Sequence, residues 1–314
     1  MKLNKKLRQI VLATALTTTA ITAVPSETLG WSAEHPNVSQ QNTHKWIADR
    51  ALDIIALDQS TKSRKDATDF FIHPQIVRAF EQGLYDADHL NEFNDGGVGK
   101  IYIDAYINGG WKSHFYDPDT GTNYKGETTP TAKTEGTKYF ERAGEYYQNN
   151  NHERAAYYLG VATHYFTDVT QPMHAANFTN VDTLNNAGFH SQFENYVTEI
   201  QDHYKVEDAL GDYNILLANN NTEYSYNPDD WIHAAAIIAK AEASNIIGGD
   251  RTERGRVGYG VSLPSVSIVE FEQWKNDPDT QLAIARSLIE AQRITAGFLN
   301  MFFEKFAINN DSGE

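Results

Sequence analysis

No cysteine occurs among the 314 residues. Disulfides, thiolate metal sites and a cysteine nucleophile are therefore excluded, and any metal must be held by histidine, carboxylate or backbone groups. Positive charge is scarce as well. Lys and Arg number 26 against 42 Asp and Glu, a formal net charge of −16. That balance argues against a non-specific grip on nucleic acid or on an anionic membrane, while leaving open a substrate reached through a local site. Alternating strand-like runs are few, Val261 to Val269 being the best. No internal repeat and no Pro/Ser-rich linker divides the chain, so one domain is the simplest organisation. Apart from the N-terminus there is no long apolar run, which predicts a soluble mature protein.

The N-terminus carries a secretory pattern. Lys2, Lys5, Lys6 and Arg8 form a basic head, and an apolar, threonine-rich stretch follows from Ile10 to about Val24. This order fits a signal peptide, and the stretch is too short to span a bilayer. Residues 1–30 are read as signal and short remnant, and 31–314 as the mature domain, secreted to the extracellular space. Removing 1–30 takes away four cations and one carboxylate, leaving −19. In the mature part, helical periodicity predicts helices over Thr43–Asp58, Gly136–Tyr147, Glu153–Asp168, His190–His203, Asp229–Ala243 and Gln281–Phe306. The fold class is all-α, a helical bundle with long loops. The segment from Asp88 to Trp111 holds five glycines and no helical period. It reads as a long loop, either functional or a floppy insertion.

Three clusters carry chemistry. In His164-Tyr-Phe-Thr-Asp168 and in His190-Ser-Gln-Phe-Glu194 a histidine and a carboxylate stand four apart, on one helix face. His174 lies between the two helices and can join either. The third cluster is Ser113-His114-Phe-Tyr-Asp-Pro-Asp119, preceded by Asp86-Ala-Asp88, with His44 near the start of the first helix. Each pair alone is commonly a hydrogen-bonded surface pair, and Asp117-Pro-Asp119-Thr-Gly121 alone is equally a turn or a loose calcium loop. Together they supply the ligand types of a hydrolytic zinc site, where paired ions can activate water and clamp a phosphoryl group.

These motifs resemble those of the zinc-dependent phospholipases C of Gram-positive bacteria. The matching residues are Trp31-Ser-Ala-Glu34, Thr43-His44, Asp86-Ala-Asp88, Ser113 to Asp119, Tyr158-Leu-Gly160 to Asp168, Gln171-Pro-Met-His-Ala-Ala-Asn-Phe-Thr-Asn180 and Gly188-Phe-His190 to Glu194. Trp231-Ile-His233 and Ala291-Gln-Arg293 extend the likeness over nearly the whole mature chain. The resemblance implies a bundle around three zinc ions per chain. A metal pair would be bound by Trp31, through its amine and carbonyl, and by His44, Asp88, His114, His164 and Asp168, with Asp168 bridging. The third ion would take His174, His190 and Glu194. Metal-activated water would attack phosphorus, with diacylglycerol oxygen leaving, and Asp88 would be ligand, general base, or both.

The resemblance also implies a head-group pocket at Glu34, His89 and Trp111. Here His89 stands where the family has tyrosine, and the segment from Asp88 to His114 is longer than in the Bacillus enzyme. Cleavage of phosphatidylethanolamine beside phosphatidylcholine is therefore expected, by a monomer touching the membrane surface transiently and binding no nucleic acid. A counterpart of the clostridial toxin's membrane-binding β-domain is not expected. Single-strand nucleases share the scaffold, but they close the ligand series with His-x-x-x-Asp, where this chain has His190 and Glu194. The remaining histidines, His35, His73, His152, His203 and His233, read as surface or satisfied core residues.

Overall fold

The computed structural model describes residues 42–100, 102–180, 188–213, 225–247 and 268–307. Ten α-helices run through them: α1 (Thr43–Leu57), α2 (Lys62–Phe71), α3 (Pro74–His89), α4 (Tyr102–Asn108), α5 (Ala132–Gln148), α6 (His152–Val169), α7 (Phe189–Ile200), α8 (Pro228–Ile247), α9 (Ile268–Trp274) and α10 (Pro278–Phe306). Short 3₁₀ turns lie at Lys112–His114, His174–Ala176 and Gln201–Tyr204. Among the described residues there is no strand, only an isolated bridge between Asp117 and Thr122.

Local chemistry sets the helix starts. The side chains of Asn42, Thr61, Asn151 and Asp277 accept from backbone N–H groups three residues on. Thr131 and Thr134 form a reciprocal capping box at α5. Helix α6 is the hub, because every residue from Leu159 to Val169 is buried. A helix buried all round must find partners for its polar side chains. That requirement makes His164 and Asp168 informative.

Helix α3 crosses α6 at two glycines. A Cβ on Gly83 would lie 2.0 Å from Tyr157 O, and one on Gly160 would lie 2.1 Å from Phe80 O. Only hydrogen fits between these backbones, and the close approach brings Asp88 of α3 to His164 of α6. Helix α10, about 44 Å long at 1.5 Å per residue, runs along both main apolar clusters. It gives Ala283, Ile284, Leu288 and Ala291 to one, and Phe298, Leu299, Phe302 and Phe303 to the other.

Three readings differ from the structure in detail. The 88–111 segment is not structureless, since it contains α4. Of the most strand-like run, Val261 to Val269, residues 261–267 lie outside the described residues, while Ile268 and Val269 open α9. The expected helix to His203 ends at Ile200 and continues as a 3₁₀ turn.

Candidate metal centre

Six segments converge on one buried cluster. His44 is the second residue of α1, and Asp88 is the last but one of α3. His114 ends a 3₁₀ turn, and His164 and Asp168 are one turn apart on α6. His174 opens the second 3₁₀ turn, and His190 and Glu194 are one turn apart on α7. Their ligand atoms fall into three groups able to hold a metal: His44, Asp88 and His164; His114, His164 and Asp168; and His174, His190 and Glu194. Asp168 sits at the junction. Its Oδ1 lies 3.6 Å from His44 Nε2 and 3.6 Å from His174 Nδ1, and its Oδ2 lies 2.8 Å from His114 Nδ1 and 3.5 Å from His164 Nε2. Asp88 Oδ1 is 3.3 Å from His164 Nε2 and 3.6 Å from His114 Nδ1.

The outer partners orient the rings. Nδ1 of His164, His174 and His190 lies 2.8, 2.7 and 2.6 Å from the carbonyl oxygens of Leu84, His114 and Phe178. A carbonyl only accepts, so each Nδ1 carries the proton and each Nε2 turns its lone pair inward. His44 Nδ1 lies 2.6 Å from Thr167 Oγ1, whose own proton goes to the backbone of α6. His114 differs in turning Nδ1 towards Asp168.

Buried lone pairs test whether this set fits metal. The Nε2 atoms of His44, His164 and His174, both carboxylate oxygens of Asp88 and Oδ1 of Asp168 are sealed from solvent with no hydrogen-bond partner. Such atoms each cost about 1–3 kcal/mol when left unsatisfied. Six in one cluster, all on ligand-type side chains, match a site completed by cations.

The electrostatics agree. Burial holds His44 well below the usual histidine range, reinforced by His164, His174 and His114. Burial also lowers His114, and it pushes His174 down to about 4 against the pull of Glu194. The rings are thus neutral and ready to ligate near neutral pH. Burial pushes Asp168 well above the usual carboxylate range, and nearby Asp88 and Glu194 add to the shift. A divalent cation removes that penalty. For Asp88 burial also acts upward, but His164, then His114 and His89, outweigh it and hold the carboxyl below its ordinary value. Asp88 is also 7% exposed, whereas the other seven described residues of the set are fully buried. Asp88 is thus the member nearest the surface, although its two carboxylate oxygens are themselves sealed.

The expected head-group residues are placed differently from one another. Glu34 lies outside the described residues, as does the expected metal ligand Trp31. His89 follows Asp88, stacks on Tyr85 at 3.8 Å between ring centroids, and is fixed through Nδ1 to Tyr85 O. Trp111 adopts a left-handed backbone (φ 56°), and its indole is only 5% exposed, in a small cluster with Ala105. A Cβ on Gly97 would lie 2.4 Å from that ring, so one face is closed by backbone. Of the other histidines, His233 pairs with Tyr116 OH at 2.8 Å, and His152 stacks on Tyr147.

Supporting residues escaped the sequence reasoning. Thr167 orients His44, and Asn94 donates to Asp88 O at 2.9 Å. Gln171 touches both ligand-type side chains of α7. Thr167 and Gln171 lie within the quoted motifs, Gln171 midway in Asp168-x-x-Gln171-x-x-His174, but nothing in their spacing marks a role.

Fold and site together define a class: an all-helical protein with a buried histidine–carboxylate centre of the kind that holds several divalent ions. Comparison with known proteins narrows it. The family model described as zinc dependent phospholipase C matches residues 43–245. A phospholipase C of Bacillus cereus is 36% identical over 276 residues, 88% of this chain and 86% of that one. One of Listeria monocytogenes is 30% identical over 278 residues, 88% and 82% of the two chains. Among solved structures, the alpha toxin of Clostridium absonum shares the fold with a TM-score of 0.61 at 21% identity, over 90% of this chain and 68% of that one. An alpha-toxin of Clostridium perfringens does so at 0.57, again at 21% identity, over 91% and 68%. The chain belongs to the zinc-dependent phospholipase C family. It is an all-α phospholipid hydrolase.

Proposed function

We propose that this enzyme cleaves the glycerol–phosphate bond of phosphatidylcholine and phosphatidylethanolamine with three zinc ions per chain, releasing diacylglycerol and a phosphorylated head group. The observation that carries the reading is the buried cluster of unsatisfied lone pairs on ligand-type side chains. His44, Asp88, His114, His164 and Asp168, completed by the amine and carbonyl of Trp31, would hold a metal pair; Asp168, whose two oxygens face different histidines, would be shared between its ions. His174, His190 and Glu194 would hold the third ion. Bound zinc supplies Lewis-acid polarisation of phosphoryl oxygens and lowers the pKa of water to about 7. Asp88 takes the proton from the attacking water. Its low pKa supports that role, because a base must be anionic. His174, its orphaned Nε2 directed inward, and the neutral rings of His44 and His114 keep positive charge for the ions rather than for protons.

His89, next in sequence to Asp88, replaces a larger phenol ring, which supports a broad head-group range; Glu34 and Trp111 complete the pocket. Contact with the membrane is transient. No helix among the described residues is long and apolar enough to cross a bilayer, while α4 presents Ile107 at 65% exposure on the segment that leads into His114. The basic and then apolar N-terminus supports secretion, with the active chain beginning at Trp31 and working as a monomer.

The test measures head-group phosphate release from phosphatidylcholine vesicles and from phosphatidylethanolamine-containing vesicles, beside digestion of single-stranded DNA. Comparable release from both lipids, with DNA intact, is expected. Digestion of DNA without lipid cleavage overturns the reading. A strict choline preference, unchanged in His89→Tyr, overturns the head-group part.

A further inference from the structure

Gln171 is fully buried and touches every member of the third group. Its Oε1 accepts from His174 N at 3.2 Å. An N–H can only donate, so this contact fixes the amide orientation and turns Nε2 the other way. Nε2 then lies 2.9 Å from Glu194 Oε1 and 3.2 Å from His190 Nε2. With the His190 ring proton committed at Nδ1 to Phe178 O, His190 Nε2 and Glu194 Oε1 turn lone pairs to one point, 2.8 Å from each other, a spacing that needs a shared donor or cation. The amide nitrogen is that donor, facing the two α7 atoms that a cation would take. The main chain holds Gln171 in place, for its N–H donates to Asp168 O and its carbonyl accepts from Ala175 N. One residue thus links the bridging carboxylate's helix to all three members of the third group.

We propose that Gln171 is the positioning residue of the third group. Its amide keeps His190 and Glu194 in ligating register before a cation arrives, then releases His190 while retaining Glu194. The release follows from valence. His190 Nε2 has a single lone pair, which cannot serve both an amide N–H and a metal. The carboxylate of Glu194 has lone pairs on both oxygens, so it can keep the amide and still bind. Residues that orient ligands in this way are worth about 10–100-fold in metal affinity. The inference rests on the three-ion reading above, and its experiment reads metal binding rather than turnover.

Wild type, Gln171→Leu and Gln171→Met are chelated and dialysed against zinc buffers, and bound zinc per chain is measured by elemental analysis. Gln292→Leu serves as control. Gln292 is an equally buried glutamine, but its amide goes to Tyr204 O, Leu288 O and Val206 N, away from the cluster. Both Gln171 variants should bind one of the three ions about 10–100-fold more weakly and the other two normally, while Gln292→Leu keeps all three. Gln171→Met, of the same length and more adaptable, carries the test if the leucine variant does not fold. An isotherm unchanged in the Gln171 variants, or all three ions weakened equally, overturns the assignment. A wild-type isotherm that saturates at two ions overturns the three-ion reading together with it.

Discussion

Replacing Gly160 by alanine tests the claim that the α3–α6 crossing builds the metal centre. The new Cβ would lie 2.1 Å from Phe80 O and 3.1 Å from Leu84 N, where ordinary contact begins at 3.4 Å. The gap is short by about 1.3 Å at the carbonyl. Both opposing atoms are backbone, so no rotamer change can relieve the clash and the helices must part. Overpacking of this kind costs typically about 1–3 kcal/mol and sometimes more. Helix propensity returns about 1 kcal/mol, since alanine is the better helix former. The net expectation is destabilisation of about 2 kcal/mol. Loss of zinc should follow, because Asp88 rides on α3 and His164 on α6. Gly83→Ala meets Tyr157 O at the same crossing and should behave alike. The double variant should cost less than the two singles added, because one separation of the helices accommodates both methyl groups. Gly136→Ala is the contrast. Its Cβ meets the end of the Ile232 side chain at 2.8 Å, which can move, so the loss should be smaller. Urea unfolding and zinc content of the four variants decide the matter. A Gly160→Ala protein as stable as wild type, with its zinc intact, would refute the reasoning.

Three further outcomes are expected. Asp168→Asn should lose far more zinc and turnover than Glu194→Asp, because Asp168 faces His44, His114 and His164 while the shortened Glu194 keeps its charge; equal losses in metal analysis and kinetics would sink the bridging role. The chelated protein should lose stability as pH falls from about 6.5 towards about 4, since the unfolded His174 takes a proton in that window and the folded, buried ring does not. The loss from His174 alone is about 3 kcal/mol at about 1.4 kcal/mol per pH unit, and unfolding titrations of His174→Asn should show a correspondingly flatter slope. The secreted enzyme should begin at Trp31, by a signal cut near residues 23–26 followed by trimming to Gly30. N-terminal sequencing checks this, and a fully active form retaining Leu29-Gly30 would contradict the ligand role of the Trp31 amine.

The residues of the centre were legible because a helix announces neighbours at fixed spacing: His164 with Asp168, and His190 with Glu194. The helices carrying them were legible through their apolar stripes and caps. Helices α2 and α3 were not. In α2 the stripe runs through Ser63, whose hydroxyl is satisfied by Asn300 at 2.7 Å across 237 residues, a partner that no local pattern reveals. In α3 the buried face includes Gly83 and Asp88, one serving close approach and the other the site, so both interrupt the apolar register. The burial of Trp111 depended on Gly97 folding onto its ring, a contact set by tertiary structure alone. Gln171 stood in a matching motif without a role, because that role lies in three hydrogen bonds, which spacing does not encode.

The account rests most directly on zinc. Protein stripped of metal, with its zinc content verified by elemental analysis, should release no phosphorylated head group from phosphatidylcholine vesicles. Stepwise return of zinc should restore release as occupancy approaches three ions per chain. Full turnover in protein verified to hold no metal would contradict the account.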